Sequence, residues 1–161
     1  MRSISKLVND FIGLLTTISQ KSNGDFSGVG LVLYESLESL SNYHCNLVND
    51  QQQLPALQLG TEALVNYLLT IADYQHPYHD GFHFINNQGQ LTHVAQFLSP
   101  PVYKLKNNNT RQGARTFCSQ CGSNIPGVVL VGAISSTQQV SLFHQGNRFM
   151  MSKQNDKQSI I

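Results

Sequence analysis

The sequence predicts a single α/β domain with a central mixed β-sheet flanked by helices. Three observations carry this. Long segments repeat apolar residues at helical spacing, and short apolar runs bounded by turn residues lie between and after them. The two kinds of segment alternate in the order helix, strand, helix, hairpin, helix, strands, which suits helices packed on one sheet. At 161 residues the chain has single-domain size, and a chain of this length buries about 68–70% of its unfolded surface, enough for a core without disulfides or metals. The expected division is an N-terminal amphipathic helix over 1–22, the domain proper over 23–151 and a polar tail over 152–161.

Each element has its own signal. Ile4, Leu7, Val8, Phe11, Leu14, Leu15 and Ile18 fall at three- and four-residue steps and form one helical face. Ser3 or Ser5 can cap that helix, and Ser22-Asn23-Gly24 stops it. Phe26 to Tyr34 reads as a buried strand, and its two glycines imply close approach of another group to the backbone. Glu35 to Leu59 is weakly patterned, with a short strand at Asn46-Leu47-Val48. A helix opens at Thr61, its cap, with Ala63, Leu64, Tyr67, Leu68 and Ile71 on one face; it ends at His76-Pro77. Phe82–Ile85 and Gln90–Leu98 form a hairpin around Asn86-Asn87-Gln88-Gly89. Lys104 to Gln112 is an asparagine-rich exposed loop with three basic residues. A helix then runs over 113–122, entered through a glycine turn, and strands follow over 127–135, 139–144 and 148–151.

Composition narrows the function classes. Charged residues make up 12% of the chain, half the ~25% that is usual, and the polarity comes from 14 Asn and 16 Gln. Ten basic and nine acidic residues leave a net charge of +1, so no global field draws the chain to nucleic acid or to an anionic membrane. No run reaches the ~18 apolar residues that span a bilayer. Asn9 and Asp10 break the N-terminal apolar run, which also lacks a signal-peptide cleavage pattern. Three cysteines do not make a secreted disulfide framework, and the expected location is cytoplasmic.

Two short segments hold the chemistry. In His76-Pro77-Tyr78-His79-Asp80-Gly81-Phe82, an acidic residue and a glycine stand at the mouth of a strand; the carboxylate suits a divalent cation and the glycine lets a ligand near the backbone. In Gly113-Ala114-Arg115-Thr116, a glycine turn opens a helix whose free N–H groups suit an anion, and Arg115 can fork onto a phosphate. Taken singly, each also reads as an ordinary turn and a solvated arginine.

Together, however, the two segments resemble the diadenylate cyclase (DAC) domain family, which includes the N-terminal domain of the DNA integrity scanning protein. The family motif Pro-Leu-His-Asp-Gly-Ala is matched by Pro77-Tyr78-His79-Asp80-Gly81-Phe82, and a hairpin ending near Phe-Leu-Pro by Gln96-Phe97-Leu98-Ser99-Pro100. The second motif, Gly-Thr-Arg-His-Arg-Ala-Ala, stands opposite Gly113-Ala114-Arg115-Thr116-Phe117-Cys118-Ser119. The likeness spans about residues 27–145. In the family two ATP-loaded domains face each other, and the 3′-hydroxyl of each ATP attacks the α-phosphate of the other. The resemblance implies that Asp80 holds Mg²⁺ or Mn²⁺ and serves the reaction, and that His79, Gly81, Phe82 and Leu98 line a nucleotide pocket. It further implies that Gly113, Ala114, Arg115 and Thr116 grip phosphates and that Ser135 and Ser136 lie at the pocket edge. As partners it implies a nucleotide and a second copy of the chain.

This chain departs from the pattern at three places. Phe117 replaces the second arginine, Thr116 the histidine, and Ser135 and Ser136 the glutamates after the next strand. Losing one positioned acid–base or charge-stabilising group costs roughly 10²–10⁴-fold. The expectation is therefore adenine-nucleotide or cyclic-dinucleotide binding and sensing, with weak or absent cyclisation; an active cyclase is the alternative. A second alternative is a zinc or redox module on Cys118 and Cys121, with His44-Cys45 as further ligands. No second matching pair accompanies that Cys-x-x-Cys, and small residues buried on a helix are the preferred account. Of the histidines at 76, 79, 83 and 93, His79 is the functional candidate, and His83 and His93 are expected to pair across the hairpin.

Overall fold

Ser3 accepts a hydrogen bond from the Lys6 N–H (3.3 Å) and so caps α1 (Ile4–Lys21); Ser22 then turns to extended backbone and ends it. All of the apolar face is buried except Ile4, which is 45% exposed. The computed structural model describes residues 3–49, 53–103 and 112–151. The expected basic loop, with Lys104, Lys106 and Arg111, and the tail from Ser152 lie outside the described residues.

β1 (Val29–Tyr34) is buried along its whole length, as a strand in the middle of a covered sheet must be. It starts later than expected, because Phe26 makes only an isolated bridge to Asp73. α2 (Leu37–Leu40) is a single turn capped by Ser36 that hydrophobic periodicity does not reveal. β2 (His44–Asn46) lies two residues before the expected strand, since its register is set by β4 rather than by its own apolar run. Leu47 is left 44% exposed.

α3 (Glu62–Ile71) is capped by Thr61, whose hydroxyl accepts from the Leu64 N–H. Its buried face is Leu64, Val65, Leu68 and Ile71 rather than one containing Ala63, which is exposed. The helix also ends before His76-Pro77. The Ser27 N–H takes the Ala72 carbonyl (2.8 Å) and the Tyr74 N–H turns to the Asp25 carbonyl (3.1 Å), so the segment entering β1 stops the helix. β3 (Phe82–Asn86) and β4 (Leu91–Leu98) form the expected hairpin, with Gly89 at φ +82° in the turn. α4 (Ala114–Gly122), β5 (Val128–Ile134), β6 (Val140–His144) and β7 (Asn147–Met150) complete the order.

One seven-stranded sheet runs β2-β4-β3-β1-β5-β6-β7. β1 and β3 are parallel and the other neighbours antiparallel, so the sheet is mixed, as the sequence predicts. α1 and α3 cover one face, against Leu31, Leu33, Ile85, Leu130 and Leu142. Leu40 and Cys118 of α2 and α4 pack on the other, with Val32, Phe84, Val131 and Phe143. Val29 pairs with Ile134 and Leu31 with His83. The starts of β1 and β3 and the finish of β5 therefore meet at one end of the sheet.

Candidate functional site

That end of the sheet collects the two motifs. The turn before β3 is closed by its own histidines: His79 Nδ1–H donates to the His76 carbonyl (2.8 Å), and His76 Nδ1 accepts from the Tyr78 N–H (3.1 Å). The Ser27 hydroxyl reaches the Ala72 and His79 carbonyls (2.8 and 3.2 Å), tying the turn to the entrance of β1. Asp80 follows on the outside, its side chain 73% exposed. Gly81 has φ +80°, and a Cβ there would sit 2.5 Å from the Gln96 carbonyl oxygen and 2.6 Å from Leu47 Cδ1. Only glycine fits on both counts.

Arg115 comes from the first turn of α4, with its side chain 24% exposed. Its Nη1 donates to the Ser27 carbonyl (3.2 Å) and its Nη2 to Asp80 Oδ1 (3.4 Å). Gly28, at φ +94°, makes room: a Cβ would lie 2.5 Å from Nη1 and 2.6 Å from the Ile134 carbonyl oxygen. This is the close approach that the strand glycine implies, made by a side chain of the chain itself. Burial pushes the Arg115 pKa down, while Asp80 and Tyr74 push it up; a guanidinium stays charged regardless. An ion pair with one partner this exposed contributes no more than ~1 kcal/mol, so an incoming anion or cation separates it at little cost.

Among the described residues both bonds to the Asp80 carboxylate fall on Oδ1, from Gly81 N–H (2.8 Å) and from Arg115. No three His, Cys, Asp or Glu side chains gather into a metal site among these residues. One protein carboxylate does not make an all-protein cage, so a hard cation held here would depend on water and ligand oxygens for the rest of its shell.

The other candidates are not all gathered around this pair. Phe82 and Leu98 are buried, 4% and 2% exposed: Phe82 follows Gly81 with Gly30 packed on its ring, whereas Leu98 packs on Gly122 at the far end of α4 from Arg115, away from the pair. Gly113 and Ala114 are exposed at the start of α4 and Thr116 is half-buried. Gly113 has neither positive φ nor crowding, so nothing in the backbone demands glycine there. Ser135 is exposed beside Gly28, but its hydroxyl is engaged with Thr137 (2.9 Å) and the Gln139 N–H (3.1 Å); Ser136 is exposed too. Ser27 and Tyr74 belong to the site, and nothing in their sequence context signals it.

Two expectations need correction or completion. His83 and His93 do not pair. His93 packs against Phe84 (ring centroids 5.7 Å) and His44 (5.4 Å) on the α4 side, whereas His83, next along the strand from Phe84, points to the opposite face. There it accepts the Ala95 N–H (3.1 Å) at a bulge where Ala95 has φ +47°. Burial, with Arg115 and His76 adding to it, pushes His83 down to about 3. Cys121 is fully buried and Cys118 half-buried, so both pack α4 against the sheet, and burial, with Cys121 adding to it, raises the Cys118 thiol. An open groove of about 350 Å³ is lined by Lys21, Asp25, Phe26, Thr70 and Asp73, and neither Asp80 nor Arg115 lines it.

Comparison with known proteins gives the fold. No protein-family description matches the sequence, and no curated protein matches it. Among solved structures, a hypothetical membrane spanning protein from Bacillus cereus superposes with a TM-score of 0.63 at 18% identity, over 90% of this chain and 63% of the other. The chain thus spans less than two thirds of that protein. A double mutant of DacA from Staphylococcus aureus superposes with a TM-score of 0.60 at 14% identity, over 92% of this chain and 89% of the other. The fold is DAC-like. Among the described residues no helix is long and apolar enough to cross a membrane.

Proposed function

We propose that this chain binds an adenine nucleotide or a cyclic dinucleotide at the Asp80–Arg115 pair and acts as a sensor with little or no cyclase activity. One observation carries the reading: two motifs far apart in sequence meet in an ion pair at 3.4 Å, on a fold shared with DacA, a diadenylate cyclase. Arg115, held by Ser27 at the start of a helix, offers a fixed fork to phosphate oxygens. Asp80 would hold Mg²⁺ or Mn²⁺, whose contribution is to neutralise phosphate charge. His79 and Gly81 set the position of that carboxylate. A charge of the kind the family pattern carries after β5 is missing, because Ser135 and Ser136 stand there and the Ser135 hydroxyl is engaged in its own turn, and Phe117 supplies no second guanidinium.

Calorimetric titration with ATP and with cyclic di-AMP, in Mg²⁺, tests the reading. Hydrogen bonds to charged groups contribute roughly 1.5–3 kcal/mol, so Arg115→Ala should weaken binding by about 10- to 150-fold, and Arg115→Lys should recover part of it. A folded Arg115→Ala protein that binds like wild type would remove the phosphate grip. Incubation with ATP and metal should yield no substantial cyclic di-AMP. Robust product, lost in Asp80→Asn, would establish the active cyclase instead.

A further inference from the structure

We propose that Tyr74 and His79 form a stacking shelf for the base of the bound nucleotide, so that the site selects nucleotides over inorganic polyphosphate; this rests on the nucleotide reading above. Tyr74 sits in the turn between α3 and β3 with 56% of its surface exposed. Its backbone is nevertheless fixed, the N–H bonded to the Asp25 carbonyl (3.1 Å). Its ring lies 6.1 Å from the His79 ring at an interplanar angle of 51°. His79 is fixed in turn, by Nδ1–H to the His76 carbonyl (2.8 Å) and by the Ser27 hydroxyl on its own carbonyl (3.2 Å).

Ser27 is the common anchor. Its hydroxyl holds the residue that carries one ring of the shelf, and its carbonyl holds the Arg115 guanidinium. The shelf and the phosphate grip are therefore one preorganised surface, with His79 next to Asp80 in the chain. A large ring kept half in water and held at its backbone leaves a π-face open, and every base can stack on such a face. Stacking of this kind is tolerant of base identity, so the selectivity gained is for a nucleotide as a class, not for one base.

The test compares ATP with inorganic tripolyphosphate, both in Mg²⁺, on wild type, Tyr74→Ala and Tyr74→Phe, with far-UV circular dichroism to show that each variant is folded. Tyr74→Ala should weaken ATP by about 5- to 150-fold, the range of base–aromatic stacking, and leave tripolyphosphate within about twofold of wild type. Tyr74→Phe should keep ATP binding. The chain has no tryptophan, so Tyr74→Trp installs a single reporter whose fluorescence ATP should quench and tripolyphosphate should not. Equal weakening of both ligands in Tyr74→Ala, or of neither, overturns the shelf while the Arg115 grip stands. If neither ligand binds wild type in an Arg115-dependent way, the nucleotide reading and the shelf both fall.

Discussion

His83 is fully buried, and its neutral ring serves as acceptor for the Ala95 N–H in the bulge that brings the Gln96 carbonyl against Gly81. Its pKa is about 3 in the fold and near 6.5 in the unfolded chain. Between these values the unfolded chain carries a proton that the native one does not. The stability contributed by a neutral His83 is thus complete above pH 6.5 and is lost as the pH falls through that window, at a limiting slope of about 1.4 kcal/mol per pH unit. Burial, with His44 adding to it, lowers His93 as well, in the same sense. The urea midpoint should fall steadily from pH 7 to pH 5. His83→Gln, which keeps an acceptor without a titrating ring, should flatten that fall by about one proton's worth; an unchanged slope would show that His83 is not the group responsible.

At the scale of elements, α3 shows what a sequence can and cannot convey. Thr61 is recognisable as a cap because its hydroxyl satisfies a local N–H, and local chemistry is written in adjacent residues. Thr61→Ala should cost roughly 0.5–2 kcal/mol by chemical denaturation, with nucleotide affinity unchanged. The far end of the same helix is hidden, because Ser27, Asp25 and Phe26 stop it from across the molecule. The same holds for β2, an edge strand whose register comes from β4, and for α2, a single turn. Most strands of the sheet are legible as apolar runs between turns. In the candidate site, Asp80, Gly81 and Arg115 are legible from motifs. Tyr74 is not, since an exposed ring in a turn has no pattern until the Asp25 carbonyl and the His79 ring are in place around it.

The whole molecule is organised around β1, which has parallel β3 on one side and antiparallel β5 on the other. A fragment ending at residue 103 retains β2, β3 and β4 but loses α4 and the three strands from β5 onward. It should give no cooperative unfolding transition, because β1 would stand as an open apolar edge and Gly132 of β5 would no longer pack on Leu15 of α1. A cooperative melt from that fragment would place the core elsewhere. The same sheet order governs the time course of folding. The β3–β4 and β5–β6–β7 pairs join neighbours in sequence, but each contact of β1 closes a loop of many residues, whose entropy cost comes before its reward. Folding should therefore be slow for a chain of this size. Since β1 leaves the ribosome well before β5 is made, an all-buried strand waits unpaired during synthesis, and that interval is when the chain is most exposed to chaperones and to aggregation.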